Sequence, residues 1–235
     1  MWNVNGRRIG VSKIILYHGS NEKIEKPLFG KGKVYNDYGQ GFYCTEYVEL
    51  AKEWACNEGI DGFANKYELD ITGLNVLNLS SEGYTILHWI TLLIENRRFR
   101  LSTPVMRMGV QWLKEHFLID ISEYDLIIGY RADDSYFSLA RAFISNEISL
   151  NQLSYAMRLG KLGEQYVLKT EKAFHQLTFQ AAELADNTIY YARRKLRDDE
   201  ARNAFFTELE KEDIQGIYMR DIIKEEMTSD DIRIR

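Results

Sequence analysis

The chain has 235 residues, 45% of them hydrophobic and 28% charged, with a net charge of −5. That length and balance support one well-buried domain with room for an appendage, and they exclude wholesale disorder. The acidic balance argues against non-specific nucleic-acid binding, which needs a basic face to displace phosphate counterions.

Taken in chain order, MWNVNGRRIG has no apolar core after its arginines, so no secretory signal is expected. SKIILYHGS is a short apolar run ending in a polar turn, the pattern of a buried strand. NDYGQGFYCT places Gly39 and Gly41 just before an aromatic-rich strand, where glycine lets backbone approach a ligand closely. EYVELAKEWACNEG has apolar residues at helical spacing, with Gly59 as the expected stop. ANKYELDI reads as the next strand.

Residues 84–160 read as a mostly helical block. Within it, Pro104 suits a first helical turn, 126–128 form a strand ending at Gly129, and Ser149 and Gly160 bracket a helix. The apolar run 86–94 is interrupted by Thr91 and is far shorter than the ~20 residues a membrane span needs. Arg97, Arg98 and Arg100, with Arg107 nearby, read as a solvated helix end or as a grip for a phosphate or an acidic partner. EQYVLKT is another strand, and EKAFHQLTF opens a turn or helix. From 180 to 212 the Ala, Leu, Glu and Arg content predicts one or two long helices. Two cysteines, Cys44 and Cys56, make no disulfide framework, and no Cys/His spacing suggests zinc. With no signal and no membrane span, a cytoplasmic protein is expected.

Three pieces carry the chemistry. Tyr17-His18-Gly19-Ser20 ends a strand, where an imidazole and bare backbone amides face one ligand or merely a turn. Gly39-Gln40-Gly41-Phe42-Tyr43 is followed eleven residues later by Trp54. Those two aromatics read either as core residues or as the walls of a slot for a flat ring. Glu164-Gln165-Tyr166-Val167 starts a strand, so alternation sends only one of Glu164 and Gln165 into a shared site.

In this order the three pieces resemble the ADP-ribosyltransferase superfamily, in its diphtheria-toxin-like and poly(ADP-ribose) polymerase-like branch. YHGS is similar to that branch's WHGS, GQGFYC to GxGIYF, and EQYVLK to NEYIVY. A wider similarity to an uncharacterised bacterial family of the same clan runs through DYGQGFYCT, YDLIIGYRADD and EQYVLKT, to about residue 175. The resemblance implies an α+β fold. It would have a split β-sandwich core over 1–175, a helical insertion at 84–160 and a helical extension over 176–235.

It also implies NAD as substrate and a mono-ADP-ribosyltransferase, acting as a toxin or defence effector on a protein or nucleic-acid acceptor. A neutralising protein partner is a further expectation, and no metal is implied. His18 would bond a ribose hydroxyl, and Gly19 would hold the nicotinamide amide, with Ser20 and Gly41 beside them. Tyr43 and Trp54 would sandwich the nicotinamide. The hydroxyl residue that helps hold the carboxamide is replaced by Ala51, and the catalytic glutamate by Gln165. Glutamine bonds a ribose hydroxyl but brings no charge. Glu164 would supply one only if the strand register shifted by one, since alternation puts it on the other face, and Asp133, Asp134 and Glu171 are more distant candidates. A non-catalytic module that binds NAD, ADP-ribose or a protein partner is the alternative.

Overall fold

The computed structural model describes residues 12–132, 134–159 and 163–234. The fold is α+β. Among the described residues, seven strands form one sheet: β1 (Lys13–Ser20), β2 (Phe42–Thr45), β3 (Gly62–Asp70), β4 (Val76–Asn78), β5 (Leu126–Tyr130), β6 (Glu164–Leu168) and β7 (Leu177–Ala185). Their order is β4-β5-β6-β2-β1-β3-β7, antiparallel at every junction except β4 with β5. The two sheets of a split sandwich are therefore not separate here. The nearest thing to a split is the β1–β2 junction, where Tyr17↔Thr45 is the one pair in register. Every other junction carries three pairs or more.

Alternation along the strands sorts the core onto two faces. Ile14, Leu16, Phe42, Cys44, Tyr67, Tyr166 and Leu168 pack on one side. Ile127, Val167 and the partly buried Tyr43 pack on the other, beneath helices α2 (Ile86–Asn96), α3 (Pro104–Phe117), α4 (Asp134–Ile144) and α5 (Leu150–Leu159). β5 reads as a continuous apolar run because it is covered on both faces. α2 and α3 start where the sequence has capping residues. Thr85 accepts from Leu87 N at 3.2 Å while His88 Nδ1 accepts from Thr85 N at 3.0 Å, and Thr103 accepts from Met106 N at 3.2 Å ahead of Pro104. His88 is thus a buried cap. Ser149 Oγ caps α5 through Gln152 N at 3.2 Å.

Two expectations change, and one is extended. The helix α1 (Val48–Ala55) stops four residues before Gly59, because Asn57 and Ile60 exchange backbone hydrogen bonds in a tight turn that leads into β3. Gly59 sits in that turn with φ +70°. The 84–160 block, read as a helical insertion, also gives its strand β5 to the sheet, between β4 and β6. Residues 180–185 are strand rather than helix: β7 is the edge of the sheet, zipped to β3 from Leu177 to Ala185. There, pairing overrides the helix propensity of Ala, Glu and Leu. The C-terminal region therefore starts as sheet and becomes helical afterwards, with α6 (Glu171–His175) before β7, then α7 (Asn187–Leu209) and α8 (Met219–Lys224) after it.

The N-terminal decapeptide, Gly160, Asp133 and the Asp134 side chain lie outside the described residues. Among the described residues, no helix is long and apolar enough to cross a membrane, and no cluster of His, Cys, Asp or Glu could hold a metal.

Candidate functional site

Beyond Tyr17↔Thr45 the ends of β1 and β2 part, and a cavity of about 820 Å³ opens between them. His18, Gly19 and Ser20 line one side, Gly41 and Tyr43 the other. Trp54 from α1 and Gln165 from β6 complete the ring. All seven residues singled out in the sequence therefore face one cavity, although His18 and Gln165 lie 147 positions apart in the chain.

His18 bridges the parting strands. Its Nδ1 lies 2.7 Å from the Tyr43 carbonyl, and a carbonyl only accepts, so Nδ1 carries the proton. In the neutral ring that leaves Nε2 as the acceptor. Burial lowers the imidazole below its ordinary pKa, against a raising pull from the Tyr43 carbonyl, so the neutral form is favoured. The ring also stacks on Phe42 at 4.3 Å between centroids. Gly19 is required by packing: a Cβ there would sit 2.1 Å from the Ala51 carbonyl and 2.8 Å from Ala55 N. Ala51 is fully buried under that contact. The Ser20 hydroxyl accepts from Glu22 N at 3.2 Å, closing a turn.

Tyr43 is held by its hydroxyl, which donates to Gly39 O at 2.6 Å and accepts from Tyr38 N at 3.1 Å. Burial pushes that hydroxyl far above its ordinary pKa. Trp54 is not an open wall. The Arg131 guanidinium lies 4.1 Å from its ring centroid, and its indole N–H is buried with no hydrogen-bond partner among the described residues. A buried donor left unpaired costs roughly 1–3 kcal/mol, so this tryptophan is poised for an acceptor.

Gln165 is 3% exposed. Its amide donates to Asp37 Oδ2 at 3.0 Å and to the Tyr130 carbonyl at 3.0 Å. Glu164, one residue earlier, turns away and accepts from the Ser80 hydroxyl. Glu171 is exposed at the start of α6 and does not line the cavity.

Asp37 is the residue that the sequence reading passed over. It lies in the cavity wall with its side chain 7% exposed. Its Oδ2 also accepts from Ala132 N at 2.8 Å, and its Oδ1 lies 3.3 Å from Arg97 Nη1. Burial raises the carboxyl above the ordinary carboxylate value, opposed by the Ala132 amide, the Gln165 amide and the charges of Arg97 and Arg131. Arg97 is therefore a cavity residue rather than a solvated helix end. Arg98 lies 4.5 Å over the Tyr35 ring and donates to its hydroxyl at 3.1 Å.

The cavity is basic although the chain is acidic. Lys26, Lys31, Lys33, Arg97 and Arg131 face it, against Glu22 and Asp37. Low-dielectric walls focus such a local field, so an anionic ligand is attracted here whatever the net charge. The site thus combines a neutral histidine acceptor, aromatic faces, a buried carboxylate–amide pair and a cationic mouth. That set suits a ligand with a flat ring, hydroxyls and phosphate.

Comparison with protein families matches residues 14–179 to one described as a protein of unknown function (DUF3990). No curated protein and no solved structure gives a match. The matched span covers more than half of the chain, from β1 into β7, and takes in every cavity residue named above, so the chain belongs to the DUF3990 family.

Proposed function

We propose that the protein binds NAD in this cavity, breaks its nicotinamide–ribose bond and transfers ADP-ribose to a macromolecular acceptor. The observation that carries the reading is convergence. His18, Tyr43, Trp54 and Gln165 come from four separate elements in the order of the ADP-ribosyltransferase motifs, and they line one cavity. The β1–β2 parting would correspond to the split of that superfamily's core.

In this reading the His18 Nε2 accepts from a ribose hydroxyl. Gly19 offers backbone to the carboxamide, with Ser20 and Gly41 shaping the same wall. The nicotinamide lies against Tyr43 and Trp54, and Arg131 must leave the indole face or move along it to make room. Lys31, Lys33 and Arg131 attract the diphosphate. The setting is a bacterial cytoplasm, where such an enzyme serves as a toxin or defence effector held in check by a neutralising protein partner.

A binding module without turnover is the second reading. It is favoured by the engaged state of Gln165, whose two amide hydrogens already have acceptors. Purified protein incubated with adenylate-labelled NAD and bacterial lysate decides between them. Label on a macromolecule, lost in Tyr43→Ala, is the expected result. Saturable NAD binding with no nicotinamide release and no transfer establishes the module instead.

A further inference from the structure

The chemistry proposed above needs a negative charge that Gln165 cannot supply. As the bond between ribose C1′ and the pyridinium nitrogen breaks, its electron pair goes to nitrogen and neutral nicotinamide leaves. Positive charge then develops across C1′ and the ring oxygen. An acceptor hydroxyl, or water, bonds to C1′ and releases its proton to solvent. Preorganised charge facing C1′ at that moment is commonly the largest single catalytic contribution.

We propose that Asp37 is the catalytic carboxylate of this site, and that Gln165 is the positioning residue that aims it. The inference rests on the NAD reading of the cavity. Of the acids considered in the sequence, Glu164 is bonded to Ser80 and Glu171 lies outside the cavity, while Asp133 and the Asp134 side chain lie outside the described residues. Glu22 lines the cavity but is exposed to water, which screens its charge. Asp37 lines it and is buried, with its carboxylate one hydrogen bond (3.0 Å) from the Gln165 amide. Charge missing from the head of β6 is thus present a single bond away.

The same geometry accounts for glutamine at 165. A glutamate there would set two carboxylates about 3 Å apart, and like charges that close cannot both ionise. An amide instead donates to Asp37 and to Tyr130 O. Ala132 N at 2.8 Å and Arg97 at 3.3 Å hold the carboxylate from other sides, so its orientation is set before any ligand arrives. A purely structural role, tying Ala132 to β2's approach, would need the hydrogen bonds but not the charge. Charge is therefore the variable to test.

Nicotinamide release is measured for wild type, Asp37→Asn, Gln165→Glu and the exchange variant Asp37→Asn/Gln165→Glu, with melting curves to confirm folding. The expected result is a loss of about 100-fold in kcat for Asp37→Asn with NAD KM within a few-fold. Gln165→Glu alone is also impaired, and the exchange variant recovers at least about ten-fold over Asp37→Asn. If Asp37→Asn does not fold, the exchange variant carries the test, and turnover within about ten-fold of wild type supports the proposal. Wild-type turnover with a folded Asp37→Asn equally active, or a folded exchange variant without recovery, overturns it while leaving the NAD reading intact. Absence of both NAD binding and turnover in wild type overturns that reading and this proposal together.

Discussion

His18 Nδ1 donates to the Tyr43 carbonyl at 2.7 Å, across the one junction of the sheet where strand pairing is reduced to Tyr17↔Thr45. A side chain therefore does there what a backbone ladder does elsewhere. It ties two diverging strands while leaving room between them for a cavity. His18→Ala removes this tie and leaves a part-buried carbonyl with one donor fewer. A loss of about 1–3 kcal/mol in denaturant unfolding is expected, together with loss of NAD binding. An unchanged unfolding midpoint would show that the strands do not need the tie.

The same histidine gives a pH dependence of defined sign. Burial lowers its folded pKa below the unfolded value of about 6.5, so below that pH the unfolded chain binds more protons than the folded one. Stability from this group is fully present above about pH 6.5 and falls as the pH drops toward the lowered folded value. His88, also lowered by burial, acts in the same sense. Asp37, whose pKa is raised by burial, acts in the opposite sense at lower pH. The His18 part is isolated by comparison with His18→Gln, whose melting temperature should decline less between pH 7.5 and pH 5.5, read by differential scanning calorimetry. Parallel declines would contradict the assignment.

Helix α1 carries Trp54 and lies between β1 and α7. On one side Gly19 allows its backbone to approach, and on the other α7 holds it. Arg197 pairs with the 4%-exposed Glu53 side chain through two hydrogen bonds of 2.9 Å. Removing one partner of a buried pair strands the other charge. Arg197→Ala should therefore cost about 3–5 kcal/mol in urea unfolding, and Arg197→Ala/Glu53→Gln should recover part of it. A loss below about 1 kcal/mol would place the pair among ordinary surface bridges.

The Arg131 guanidinium over Trp54 competes with any flat ligand for the indole face. Arg131→Ala should strengthen binding of nicotinamide alone while weakening binding of NAD, which loses a cation near its phosphates. Each change is expected to be about two- to ten-fold, from a cation–π contact of roughly 0.5–2 kcal/mol. Calorimetric titration of both ligands reads it. Equal loss for both would mean that Arg131 acts only by shaping the wall.

Much of this was legible in the residues. A short apolar run marks β1, ANKYELDI falls on β3, and the YHGS, GQGFY and EQYV strings fall on the ends of β1, β2 and β6. What stayed hidden depends on tertiary contact. Asp37 sits in a loop six residues ahead of Tyr43, with no periodicity to show that its carboxylate turns inward. Its only signal is an acid beside the paired glycines of DYGQG. Arg97 reads as a solvated helix end because its partner, Asp37, is sixty positions away in sequence. Residues 180–185 read as helix because their side chains favour it, and only the free edge of β3 makes them a strand.

The most direct test of the central claim is calorimetric titration of NAD into the purified chain and into His18→Ala and Trp54→Ala. One saturable site in wild type, weakened by about ten-fold or more in each folded variant, is the expected result. No binding at millimolar NAD, or binding that both variants leave unchanged, would contradict it.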